Sequence, residues 1–477
     1  MTEQTSDSLL ALFDRAPLNR RYWRSFAIIA AGSMLDLFDF FIVGYLVAEL
    51  GPRWHLTYGQ SAIILLSGGI GAIISAPIWG SLSDSWGRKR QLVAGYLICA
   101  GGAGSISLIP DHAWQLFAAL RFVVGFGLSA ASVPALTMIV EITPTRFRTV
   151  VASLAVVFPT VGTLLSALTA ATLLSALGWR GVAALGAAPV LVAVLAAFFI
   201  PESVRWLIAK GRFAEARELV ARHLGVPVAA VPLPTVRPAN PPRGRFWDLY
   251  AQPRLFWLVV FTMGGAATVD YAVILWGPTI FSLLLKITVA EAARYFVFVI
   301  LCGITGKIAF ALMPQWLGRR RCGQLHGFGL AVTIAVAGYF SDVHVGGLPL
   351  FIPLLMVANL FMEGGFTNLA PYAVEVFGVR RGARAAGLNL ASNGFGKILG
   401  PASLAIIAGT GNLLTPHATE QAILPAFLFL AVCALGIGLA FTFLGPETHG
   451  RPLAMEDDEA PAEMPAGRTA AARIGSL

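Results

Sequence analysis

The sequence predicts an all-α membrane protein with twelve transmembrane helices in two pseudo-symmetric six-helix bundles. Three observations predict it. The composition suits lipid, twelve apolar runs are long enough to span a bilayer, and short motifs recur between the two halves at a nearly constant offset.

Of the 477 residues, 57% are hydrophobic and 12% charged, and the mean hydropathy is +0.74. A soluble domain carries about 25% charged residues. Charge this sparse fits a chain that sits mostly in hydrocarbon, where ions are costly. Gly (50) and Pro (28) are frequent, as in closely packed or broken membrane helices. The net charge is +9, but the basic residues lie in short segments between apolar runs. That is the positive-inside pattern, so no nucleic-acid partner is expected. Cys99, Cys302, Cys322 and Cys433 lie in or beside apolar runs without CxxC spacing, which implies neither disulfide nor metal. The first apolar run is too long for a signal-peptide core and is expected to remain as a helix. No P-loop, HExxH or GxSxG occurs. The chain is therefore not expected to be an enzyme, to couple directly to ATP, or to need a cofactor or metal.

A spanning helix needs about 20 mostly apolar residues. The runs are 26–50, 61–82, 91–109, 115–140, 150–175, 181–200, 255–284, 292–314, 323–341, 348–374, 386–408 and 421–444. The termini and even-numbered connections hold 27 Arg and Lys; the odd-numbered ones hold three, Arg53, Arg180 and Lys286. This split places both termini in the cytoplasm of a multi-pass inner-membrane protein. The expected organisation is an N-terminal cytoplasmic segment (1–25), a six-helix bundle (26–200), a cytoplasmic linker (201–254), a second bundle (255–444) and a cytoplasmic tail (445–477). Val204 to Leu224 of the linker is charged and amphipathic and predicts helix. Pro227 to Pro242 is Pro-rich and predicts irregular chain. A monomer is expected.

The halves echo one another. Gly80-Ser-Leu-Ser-Asp-Ser-Trp-Gly-Arg-Lys-Arg90 follows span two, and Ala311-Leu-Met-Pro-Gln-Trp-Leu-Gly-Arg-Arg-Arg321 follows span eight, 231 residues later. Glu141-Ile-Thr-Pro-Thr-Arg146 follows span four, and Glu375-Val-Phe-Gly-Val-Arg380 follows span ten, 234 residues later. Duplicated halves imply a site near the midplane between them. At the rim, a tight glycine turn would present Asp84 and the basic residues to form ion pairs in one transport state and break them in another. Glu141, Arg146 and Arg148 are the candidate partners. The candidate gate comprises Gly80, Asp84, Gly87, Arg88, Glu141, Arg146 and Arg148, with Gly318, Arg319, Glu375 and Arg380 as their echoes. The alternative is that the arginines only fix topology.

These residues carry a family resemblance. Gly80 to Arg90 resembles the signature loop of the major facilitator superfamily. Arg121-Phe-Val-Val-Gly-Phe-Gly127, Pro201-Glu-Ser-Val-Arg-Trp-Leu207 and Pro446-Glu-Thr-His-Gly450 resemble motifs of its sugar porters and metabolite or aromatic-acid proton symporters. Leu12-Phe-Asp-Arg-Ala-Pro-Leu18 with Leu35-Asp-Leu-Phe-Asp39 is similar to the aromatic-acid branch, although Leu37 stands where that branch has Gly. The sugar-porter branch fits less well. Phe261 to Ala267 holds no glutamine, and Tyr372 stands where those porters have Trp.

Ionisable residues within the spans mark candidate sites. Asp36 and Asp39 share a face of span one. Two close carboxylates in low dielectric cannot easily both ionise, so one holds a proton more readily, as a coupling site requires. The resemblance pairs Asp39 with Arg121 of span four. Two readings stand: proton coupling through Asp36, Asp39 and Arg121, or a static pair that joins helices. Asn359 and Glu363 of span ten, with Thr367, form one polar stripe. Asn389, Asn393 and Lys397 of span eleven form another. Each faces either a cavity or a neighbouring helix. Lys307 and Lys397 are candidate anchors for a substrate carboxylate, and Lys307 could instead pair with Asp270 or Glu363. Asp270 and Tyr271, with Trp276, are candidate pocket residues.

These features point to a secondary transporter that moves a small molecule by alternating access. The favoured reading is proton-coupled symport of a small organic acid, possibly an aromatic carboxylate. A sugar or polyol carrier, a proton-driven exporter of drugs or toxins, and a non-transporting membrane sensor are the alternatives.

Overall fold

Backbone polar groups in hydrocarbon must be satisfied within their own segment, which makes each apolar run a helix. The computed structural model describes residues 6–14, 17–233, 246–346 and 348–449. Spans one to four are Arg20–Arg53, Tyr58–Trp86, Arg88–Ile106 and Trp114–Ile142. A helix over Arg148–Ala184 holds span five and breaks at Gly178 into span six, which ends with Pro189–Phe199. Spans seven to nine are Pro253–Leu285, Val289–Leu312 and Arg319–Tyr339. The helix Phe351–Ala408 holds spans ten and eleven, broken at Gly378, and Pro416–Phe443 is span twelve. Two short helices, Val204–Ala209 and Phe213–Leu224, lie between the halves. Of the Pro-rich stretch expected to be irregular, Val228–Ala230 forms a 3-10 turn, and residues from 234 onward lie outside those described.

Among the described residues, seven helices are long and apolar enough to cross a membrane on composition alone. Spans three and nine begin with basic triplets, and spans ten and eleven carry polar stripes, so those helices depend on protein neighbours to cover their polar faces.

The spans pack closely through glycine. A Cβ on Gly125 would lie 1.9 Å from the Gly68 carbonyl oxygen, and one on Gly127 would lie 2.6 Å from the Cys99 nitrogen. The first glycine thus seats span four on span two and the second seats it on span three. Lipid gives helices no hydrophobic reason to associate, so such contacts carry the packing.

The two ends of the molecule differ. The basic rim holds Arg88 and Arg319; the far rim lies opposite. At the far rim the halves are clasped. The Leu414 amide donates to the Leu56 carbonyl at 3.1 Å, the Tyr58 amide to the Asn412 carbonyl at 2.9 Å, and the Gly59 amide to the Thr410 carbonyl at 3.0 Å. The Tyr58 and Thr419 hydroxyls lie 2.7 Å apart. One apolar core runs continuously through both halves here, including Tyr45, Trp276 and Phe296. Near the basic rim the cores are separate, one within the first half and two within the second. The structure is therefore closed at the far rim and parted at the basic one.

Replacing Gly125 with Val is expected to destabilise the fold by about 1–3 kcal/mol through overpacking. The thermal melt of detergent-purified protein checks this. Gly101→Ala, where nothing lies within 4 Å, is the control and should leave the melt unchanged.

Candidate functional site

Span one carries Asp36 and Asp39, and span four brings Arg121 to them. Arg121 is 1% exposed and Asp39 is 2% exposed. Arg121 Nη1 lies 2.8 Å from Asp39 Oδ2 and also donates to the Asp39 carbonyl at 3.2 Å. A second guanidinium nitrogen reaches the Phe40 carbonyl at 3.5 Å. Breaking such a buried pair from one side costs about 3–5 kcal/mol. By contrast, Arg53–Glu49 lies 59% and 31% exposed at the far rim, where a pair contributes about 0–1 kcal/mol. Asp36 is less well held. Among the described residues only Ser132 donates to it, at 3.4 Å, and Asp36 Oδ1 has no partner.

Lys397 of span eleven projects across the boundary between the halves. Its stem packs against Gly69 of span two. Its ammonium lies 5.1 Å from the Phe40 ring centre and 5.5 Å from that of Tyr271. No described carboxylate is within ion-pair distance. Cation–π contact contributes about 0.5–2 kcal/mol, less than the cost of an intramembrane cation. Phe41 stacks on Tyr271 at 5.8 Å and Phe40 meets it edge-on at 5.3 Å. The Tyr271 hydroxyl lies 3.5 Å from Asn393 Oδ1, at the limit of a hydrogen bond. The result is a cation in an aromatic box, one residue removed on span one from the Asp39–Arg121 pair.

Lys307 takes the other course open to it. Its ammonium lies 2.7 Å from Glu363 Oε2 and donates to Thr160 Oγ1 at 2.7 Å. Glu363 and Lys307 belong to the second half and Thr160 to the first, so this trio ties the halves at mid-depth. Asn359 donates to the Val299 carbonyl at 2.7 Å and serves as helix–helix contact. Asn389 and Asp270 are buried, and Asp270 Oδ1 has no partner. Trp276 does not line a pocket. It is fully buried at the closed rim, donating to the Pro401 carbonyl at 3.0 Å.

At the basic rim the duplicated motifs build two matching devices. The turn falls at Gly87 and Gly318, with φ of 107° and 81°, where a side chain would be strained. Gly80, the first glycine of the motif, lies inside the helix of span two, because the helix continues to Trp86. Arg88 Nε reaches Glu141 at 3.0 Å, and Arg319 reaches Glu375 at 2.8 Å. Arg146 lies over the Phe147 ring instead of joining these pairs. The side chains of Asp84, Arg148 and Arg380 lie outside the described residues.

Four participants were not singled out from sequence. Glu202 accepts from the Arg88 amide at 3.1 Å and the Lys89 amide at 3.2 Å. Glu447 accepts from the Arg319 amide at 2.8 Å and the Arg320 amide at 3.2 Å. Each carboxylate caps the first turn of span three or nine, where unpaired amides and the helix dipole favour an anion. The signal was present as Pro-Glu-Ser and Pro-Glu-Thr after spans six and twelve. Phe40 and Thr160 gave no signal, since neither differs from ordinary core or helix residues.

Comparison with known proteins bears on the family and the fold. The family model described as Major Facilitator Superfamily matches residues 29–401. The chain is 28% identical over 454 residues to the niacin transporter NiaP of Acinetobacter baylyi, covering 93% of this chain and 98% of that one. It is 25% identical over 415 residues to the 4-hydroxybenzoate transporter PcaK of Pseudomonas aeruginosa, covering 84% and 89%. The inward-open structure of the xylose transporter XylE from E. coli superposes with a TM-score of 0.69 at 16% identity, covering 89% of this chain and 97% of that one.

Glu202→Ala and Glu447→Ala are each expected to destabilise the protein by about 2 kcal/mol, the range for a charge-assisted hydrogen bond or a lost cap. They share no partner, so the double variant should show the sum of the single effects in a thermal melt. Glu→Gln at either site should cost less, because one acceptor oxygen remains.

Proposed function

Because the chain belongs to the major facilitator superfamily, and so is a membrane transporter and not an enzyme, we propose that it carries a small aromatic carboxylate together with a proton. Lys397 carries this reading: an intramembrane cation faced by aromatic rings and by no paired carboxylate suits a carboxylate attached to a ring. The niacin and 4-hydroxybenzoate transporters among its relatives are named for substrates of this class. The basic rim faces the cytoplasm by the positive-inside rule, in a bacterial-type inner membrane. The structure is then the inward-facing state.

Alternating access follows from the geometry. The substrate carboxylate pairs with Lys397 and its ring enters the box of Phe40, Phe41 and Tyr271. A proton on Asp39 removes the charge that holds Arg121 and frees span one from span four. Span one carries both Phe40 and Asp39, so one helix senses substrate and proton together. In the inward-facing state the proton has left and the Asp39–Arg121 pair has formed. Reopening the far rim requires the Leu56–Leu414 and Tyr58–Thr419 contacts to part. The gate pairs at the basic rim hold each half rigid while the halves rock against one another.

The test is lumenal pH in proteoliposomes with a trapped dye, while nicotinate, 4-hydroxybenzoate, xylose or an organic cation is added outside. Empty liposomes correct for passive weak-acid entry. Protein-dependent acidification by the aromatic acids is expected. Asp39→Asn should abolish uphill accumulation while leaving exchange of labelled substrate intact. A signal from xylose alone would replace this reading with a sugar carrier. Labelled acid that equilibrates without proton movement would make the Asp39–Arg121 pair purely structural.

Lys397→Met should raise KM for the acid roughly 10- to 100-fold, the loss of one charge-assisted contact of about 1.5–3 kcal/mol. Uptake kinetics at fixed pH measure it.

A further inference from the structure

A cavity of about 500 Å³ opens at the basic rim, apart from the transport path. It lies between the start of span one, the start of span three, the end of span six and the helix Phe213–Leu224. Arg21, Arg24, Lys89 and Arg222 line it, facing a single carboxylate, Glu202. That carboxylate is already engaged by the Arg88, Lys89 and Ser203 amides.

The cations are only partly engaged. Arg222 pairs with Glu218, and Arg21 donates to the Arg222 carbonyl at 2.6 Å. Arg24 lies over the Phe199 ring at 4.6 Å. The Lys89 ammonium has no carboxylate partner among the described residues. His223 also lines the cavity, and its Nε2 has no hydrogen-bond partner. Burial, with Arg21 beside it, holds that imidazole below the usual histidine range, leaving it neutral near pH 7. A neutral ring offers one donor to an anion without adding charge to an already cationic site.

The cavity also has an apolar edge. Phe198 is 79% exposed and Phe199 is 41% exposed, both at the end of span six. Trp23, 43% exposed, lies on span one between Arg21 and Arg24. Exposed aromatic residues at the end of a membrane helix sit at the level of the headgroups. Cations above and lipid-facing rings below match a phosphate that carries acyl chains.

We propose that this cavity binds a phosphate-bearing anion, and that its occupant is the headgroup of an anionic phospholipid whose chains lie along Phe198 and Phe199. Binding there would bridge span one, span three and the helix Phe213–Leu224. It would brace the first half at the point where Glu202 caps span three.

Native mass spectrometry of the full chain, released from micelles containing phosphatidylglycerol or phosphatidylethanolamine, tests this. Phosphatidylglycerol should be retained in preference. Arg21→Gln with Arg24→Gln should weaken retention roughly 30-fold, at about 1 kcal/mol per basic residue near the surface. Arg24→Lys should keep most of it. Arg53→Gln, at the far rim, should have no effect. All variants are compared at matched thermal stability, so a folding defect is not read as lost binding. Equal retention of the two lipids, or equal losses in the Arg53 variant, would overturn the proposal. If inorganic phosphate in excess displaces the lipid, the anion site stands but free phosphate replaces lipid as its occupant.

Discussion

Arg121 holds a full charge at 1% exposure, with Asp39 2.8 Å away as its only ionic partner among the described residues. In hydrocarbon neither group is tolerable alone, so spans one and four must stay together while both are charged. The surrounding packing conforms to this pair. Gly68 lies against the guanidinium, Gly125 lets span two approach span four, and Gly186 lets span six come close to Asp39. Under the proposed function the same constraint makes the pair a switch. In that proposal one proton would remove the carboxylate's charge, and with it the attraction that joins the two helices.

Lys397 and Lys307 show how neighbours decide the role of a charge. Lys307 has a carboxylate and a hydroxyl within 2.7 Å and so stabilises the contact between halves. Lys397 has ring faces at more than 5 Å and no ion-paired carboxylate among the described residues, which is why the proposed function gives it the incoming anion. Both lysines interrupt apolar helices, and nothing in their local sequence separates these two outcomes.

The basic rim shows duplication at the level of single hydrogen bonds. In each half an acidic residue after the last span caps a helix that begins at a left-handed glycine, and the adjacent arginine pairs with a glutamate at the end of another span. These contacts lie within each half, whereas the clasps between halves lie at the far rim and at mid-depth. Rigid halves joined at one end can rock about that end, the motion alternating access requires.

The fold was legible because lipid imposes strong constraints on sequence. Apolar run length, sparse charge and the recurrence of Gly-Arg-basic motifs each follow from the solvent or from duplication, and each can be read along the chain. The Asp39–Arg121 pair was legible through the family resemblance, which matches both residues; the intramembrane charges by themselves said only that each needed a partner. Which glycine of the Gly80–Arg90 motif makes the turn was not legible, since Gly80 and Gly87 both lie in one loop motif and only the length of the preceding helix distinguishes them. Sequence alone determined the solvent, the number of spans, the duplication and the set of charges that needed explaining. Only the tertiary structure decided which charge met which. Partners such as Thr160 and Phe40 come from distant spans as ordinary helix residues, and their contacts arise from packing geometry that no local pattern encodes.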